Sequence, residues 1–101
     1  MGLTQPQEQY AQKKSFIIVH NFILDNLIKN VSAEALKLYL LLRTYSDGKY
    51  KYCYPKTYTL AKTMDVSVDS ITRYLNELKN AKVIHIQRKF QNNRNCYHFI
   101  T

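Results

Sequence analysis

Two short helical stretches, separated by only three residues, constrain this chain more than anything else in it. The first is YTLAKTM, Tyr58 to Met64, and the second is VDSITRYLNELKNA, Val68 to Ala81, with DVS between them. Each carries an apolar face. Leu60, Ala61 and Met64 line the first, and Ile71, Leu75 and Leu78 recur at i, i+4 and i+7 in the second, with Tyr74 beside them. Thr57 is placed to cap the first stretch and Ser67 the second. A turn this short forces the two helices to cross and to bury those faces against each other. The pair still needs a third element to complete a core.

That element is legible upstream. Ser32 is a good N-cap, Glu34 favours the first turn through the helix dipole, and AEALKLYLLLRTYS follows. Apolar residues at 35, 36 and 38–42 surround most of this helix, so it is expected to be the buried centre, ending at Asp47-Gly48. Before it, NFILDNLIKN reads as a short helical turn and SFIIV, Ser15 to Val19, as an edge strand. Residues 1–14 are polar, with glutamines at 5, 7, 9 and 12, and read as a flexible arm ahead of one domain spanning 15–101. KYKYCYPK reads as a tyrosine-rich connector. Downstream, VIHIQRKF and NCYHFI alternate as strands, joined by a four-residue loop from Gln91 to Arg94.

Two helices joined by a tight turn, a long helix before them and a hairpin after them are the layout of a winged helix-turn-helix. The fold class is therefore α+β, with three main helices and a small antiparallel sheet whose hairpin is the wing.

The segment from Ser32 to Ile84 also resembles the helix-turn-helix domains of plasmid and phage replication proteins. The residues that carry the resemblance are Ser32, Tyr54-Pro55, Leu60-Ala61, Ser67, Ser70, Ile71, Arg73 and Leu78. It implies sequence-specific binding of double-stranded DNA, often at the origin of a mobile element. Small accessory proteins of conjugative relaxosomes, which bind the transfer origin, are similar in size and layout. Two positions depart from the family. AKV stands where a Gly usually precedes the first wing strand, and Val68 and Asp69 stand where basic residues usually begin the second motif helix.

Charge supports the same partner class. The 101 residues carry a formal net charge of +8, and such an excess on a small domain calls for a polyanion. No stretch reaches the roughly 18 apolar residues that span a bilayer, and the first residues have no apolar signal core, so a cytoplasmic location without membrane contact is expected. Pro6 stands where a myristoylation signal needs Ser or Thr. Cys53 and Cys96 are expected to stay reduced there.

The basic residues are unevenly placed. From Ser67 to Lys82, Arg73, Lys79 and Lys82 face Asp69 and Glu77, with Arg73 alone in the half that normally enters the groove. Candidate contacts on the two motif helices are Lys56, Thr57, Ser67, Asp69, Ser70, Thr72, Arg73 and Asn76. The hairpin carries Arg88, Lys89 and Arg94 with no acidic residue, and Gln91, Asn92, Asn93 and Asn95 add amides that can read adenine as arginine reads guanine. The wing is therefore expected to read DNA at least as much as the helix does, although asparagines are also ordinary turn formers. Lys49, Lys51 and Lys62 are candidate phosphate contacts, and Lys13 and Lys14 could extend them from the arm.

Catalysis is not expected. The chain lacks the His-hydrophobic-His pair that nicking enzymes use, and its two glycines, Gly2 and Gly48, cannot form a phosphate-binding loop. His85, Cys96 and His98 could meet across the hairpin, but three residues there read more simply as strand positions than as a metal site, so no cofactor or metal is expected. The leading expectation is a transfer-origin accessory factor working with a relaxase. The size of the chain leaves no room for the further domain of a replication initiator, and an initiator would work with a replication partner protein instead. A transcriptional regulator and a protein-interaction module are the alternatives, and a homodimer would suit repeated DNA sites.

Overall fold

The computed structural model describes residues 19–46, 51–91 and 94–100. In chain order these form α1 (Asn21–Asn30), α2 (Ala33–Tyr45), β1 (Tyr52–Cys53), α3 (Thr57–Met64), α4 (Val68–Asn80), β2 (Ile84–Gln91) and β3 (Arg94–Phe99). The three strands make one antiparallel sheet in the order β1-β3-β2. Helices before a hairpin sheet give the expected α+β winged helix-turn-helix.

Two elements exceed the sequence reading. NFILDNLIKN is a complete ten-residue helix, not a single turn, because Ile23 and Leu27 at i and i+4 bury against α2. The described helices are thus four. KYKYCYPK is more than a connector: Tyr52 and Cys53 pair with His98 and Tyr97, and the Phe99 N–H donates to the Lys51 carbonyl at 2.7 Å. Two residues are too few for a periodic pattern to announce a strand. Of the expected edge strand 15–19, only Val19 is among the described residues, and it has no regular structure. The arm 1–14 and the Asp47-Gly48 stop lie outside them.

The long helix is capped as expected, with the Ala35 N–H donating to Ser32 Oγ at 3.2 Å. It closes at Tyr45, where Ser46 donates its N–H to Arg43 O and Thr44 O. Its burial is narrower than expected. Ala35, Leu38, Tyr39 and Leu42 form one buried stripe at helical spacing, while Leu40 remains 39% exposed. That stripe meets Leu60 and Ala61 of α3, Ile71, Leu75 and Leu78 of α4, and Ile84, Tyr97 and Phe99 of the sheet. Fully burying a side chain of the Leu or Ile kind contributes about 1.5–3 kcal/mol, so this shared core holds the two motif helices in place.

The tight turn is built as its residues dictate. Asp65 takes a left-handed conformation, φ 58°, and the Val66 N–H donates to Ala61 O at 3.0 Å. Ser67 then caps α4 through the Ser70 N–H at 3.1 Å. At the far end α4 is capped by Ala81, and Lys82 is left-handed, φ 61°, with the Val83 N–H reaching Leu78 O at 3.2 Å. Lys82 therefore occupies the backbone position at which a Gly is commonly used.

Candidate nucleic-acid interface

Helix α4 divides into two sides. Ile71, Tyr74, Leu75 and Leu78 are buried, and Val68, Asp69, Thr72, Arg73, Asn76 and Lys79 are exposed along one strip. Several polar groups on the strip are already oriented. Thr72 Oγ1 donates to Val68 O at 3.2 Å, and Arg73 donates to Ser70 Oγ at 3.4 Å with its guanidinium 5.5 Å from the Tyr74 ring centroid. The Ser67 and Ser70 hydroxyls are 3.0 Å apart, so these two candidates serve the helix cap and the arginine. Ser67 holds Ser70, and Ser70 in turn orients Arg73.

Glu77 lies off this strip. Its Oε1 accepts the Ser32 N–H at 2.8 Å and its Oε2 accepts the Ser32 hydroxyl at 3.0 Å, at the N-terminus of α2 where the helix dipole favours an anion. The charge count along α4 set Glu77 beside Asp69 against the helix's cations. Folding places it against α2 instead, and Asp69 is the carboxylate that stays on the strip. Two further carboxylates are paired with lysines on their own helices, Asp25 with Lys29 and Glu34 with Lys37. No carboxylate occurs in α3 or in any of the three strands.

The wing is rearranged relative to the sequence reading. Gln91 pairs with Arg94, so the connection is shorter than the four residues expected, and the register slips between Gln87 and Gln91. Arg88 is exposed. Arg94 and Asn95 are half-buried, and Arg94 stands in the last strand pair before the turn, at the tip end of the hairpin as expected. Arg94 lines an open groove of about 700 Å³ with Tyr45, Tyr52, Tyr54, Lys56 and Thr59, and its Nε is buried without a hydrogen-bond partner among the described residues. Burial pushes the Tyr97 phenol above its usual pKa, and the neighbouring Asn95 and Thr57 side chains and the Arg88 charge act the other way. The side chains of Lys89 and Gln91, and all of Asn92 and Asn93, lie outside the described residues.

Lys51, Lys56 and Lys62 are exposed, whereas Lys49 lies outside the described residues. Thr57 is not the cap of α3. Lys56 is the N-cap and offers no side-chain cap bond, while Thr57 is half-buried beside Tyr97. The first-turn N–H groups of α3 thus have a lysine above them and no capping oxygen, the arrangement that suits a phosphate.

On the outer sheet face His85 pairs with His98 across the strands, and His98 Nε2 lies 3.1 Å from Gln87 Oε1. Cys53 and Cys96 are both buried thiols. Among the described residues no three His, Cys, Asp or Glu side chains converge on a metal-sized site, and no helix is long and apolar enough to cross a membrane.

Residues 29–84 match the family described as "Helix-turn-helix domain". No curated protein sequence matches the chain. A solved structure described as "Structure of Rep-DNA complex" shares the fold, with a TM-score of 0.59 at 16% sequence identity, covering 92% of this chain and 80% of that one.

Proposed function

Because the chain belongs to the helix-turn-helix domain family, we propose that it binds duplex DNA site-specifically at the origin of a mobile element. One observation carries this reading: a single exposed strip on α4 bears Asp69, Thr72, Arg73 and Asn76 on a helix whose opposite side is locked into the core. The strip enters the major groove, with Arg73 for guanine, Asn76 for adenine and Asp69 for a cytosine amino group. The N-terminus of α3 with Lys56 holds one phosphate, and Lys51 and Lys62 lie along the backbone. Arg88 on the wing reaches the neighbouring groove, and the amides of the wing loop act beside it.

Of the two kinds of origin, a replication origin is supported by the likeness to a Rep–DNA complex. In a transfer origin the same surface acts as a relaxosome accessory, beside a relaxase. Footprinting on plasmid DNA that contains both origins separates these outcomes, and protection confined to a promoter favours a regulator. Absence of salt-dependent duplex binding at physiological ionic strength refutes the DNA reading and leaves a protein-interaction module.

A further inference from the structure

Four rings cross the outer face of the sheet in one row. Tyr54 stacks on Tyr52 with centroids 6.5 Å apart, Tyr52 lies 5.9 Å from His98, and His98 lies 6.1 Å from His85. The register produces the row, because Tyr52 is paired with His98 and His98 with His85, so three of the rings leave three adjacent strands on one side. The other side of the same strands carries Cys53, Tyr97 and Ile86, which face the core.

The row fills no core. Tyr52 and Tyr54 are 42% and 41% exposed, and His85 is exposed as well. Its surroundings are cationic: Lys51 precedes it, Lys56 follows it, and Arg94 lines the groove beside both tyrosines. No carboxylate lies on the strands beneath it. Aromatic rings interleaved with cations bind single-stranded nucleic acid, because each base has a face to stack and each linkage a charge to neutralise. A duplex hides its base faces, so the row has nothing to stack on there. The row starts two residues before Lys56, where the duplex backbone is proposed to meet α3, and runs across the sheet from β1 through β3 to β2.

We infer that the row of Tyr54, Tyr52, His98 and His85 binds unpaired nucleotides of DNA flanking the duplex site. This rests on the proposed DNA-binding reading and specifies the form of DNA, a duplex opening into a single strand.

The test compares three probes on the whole chain: a blunt duplex site, the same duplex with a ten-thymidine tail, and the thymidine oligonucleotide alone. The tail is expected to tighten binding at least about fivefold, from the free energy of base–aromatic stacking. The double variant Tyr52→Leu/Tyr54→Leu, and separately His85→Ala, are expected to lose most of that gain while keeping blunt-duplex affinity and far-ultraviolet circular dichroism. If the tyrosine variant unfolds, the exposed His85→Ala change alone decides the question. A tail that adds nothing, or a gain that survives the substitutions, overturns the inference. Binding of the oligonucleotide without binding of the blunt duplex overturns the duplex reading and leaves the row standing.

Discussion

Both carboxylate oxygens of Glu77 are committed to Ser32, one to its backbone N–H at 2.8 Å and one to its hydroxyl at 3.0 Å. The Ser32 hydroxyl also accepts the Ala35 N–H, so one serine joins the start of α2 to the side of α4. Glu77→Ala removes two charge-assisted bonds and is expected to destabilise the fold by about 1–2 kcal/mol, read from urea denaturation midpoints at constant slope. Ser32→Ala in the Glu77→Ala background should then cost less than it does alone, because the two residues share the interaction. Full additivity in that double-mutant cycle contradicts the pairing.

Lys82 has the opposite signature, since its left-handed backbone is a cost to the chain. Lys82→Gly is expected to raise stability by about 0.5–1 kcal/mol, because Gly has no Cβ to clash there. Asp65→Gly should gain less, as Asp tolerates that region better than Lys does. A Lys82→Gly protein that melts below the parent contradicts the assignment of the helix end.

On DNA, Arg73 and Arg88 are tested by the same two readouts, specificity and salt dependence. Arg73→Ala should cost about 1–3 kcal/mol on the preferred site and relax specificity, since Ser70 and Tyr74 hold its guanidinium ready for a base. Arg88→Ala should weaken all sequences alike and lower the slope of log K against log salt by about 1 if it meets phosphate, or relax specificity if it reads a groove. Competition assays at three salt concentrations distinguish the two. If Arg73→Ala leaves specificity intact, the major-groove placement of α4 is wrong.

Alkali tests the sheet. Burial pushes the Cys53 thiol up to about 12, aided by neighbouring Cys96 and opposed by Arg43, whose guanidinium lies 4.6 Å from the Phe99 ring centroid. The folded chain keeps a proton that an unfolded chain releases near pH 9, so this contribution is fully present below pH 9 and is lost as pH rises towards 12. Buried Tyr39 and Tyr97 shift in the same direction. Stability should therefore fall steadily above pH 9, and Cys53 should resist alkylation at pH 8 until the protein is unfolded. Rapid labelling of native protein contradicts the burial.

The sequence revealed whatever repeats at helical or strand spacing or announces itself as a cap. Ser32, Ser67, the apolar stripe of α4 and the wing strands all act over a few residues, and all are where local pattern puts them. The features that escaped link distant residues. The Ser32–Glu77 contact spans 45 positions, so a charge count along α4 could not see that one of its acids is bound to the start of α2. β1 is two residues long and exists only because β3 lies beside it. Thr57 looked like a cap because threonine suits that place, yet the backbone starts the helix one residue earlier and turns Thr57 toward Tyr97. The loop looked four residues long because the slip in β2 leaves no periodic trace, whereas the pairing of Gln91 with Arg94 carries the ladder up to the turn.

That short strand has a mechanical consequence. Cys53 is tied to β3, and after three intervening residues the chain begins α3, so the wing base and the motif helices are joined by a tether with almost no slack. The two halves of the surface behave as the jaws of a fixed-gauge caliper, and the spacing between the features they touch is set by the protein before any partner arrives.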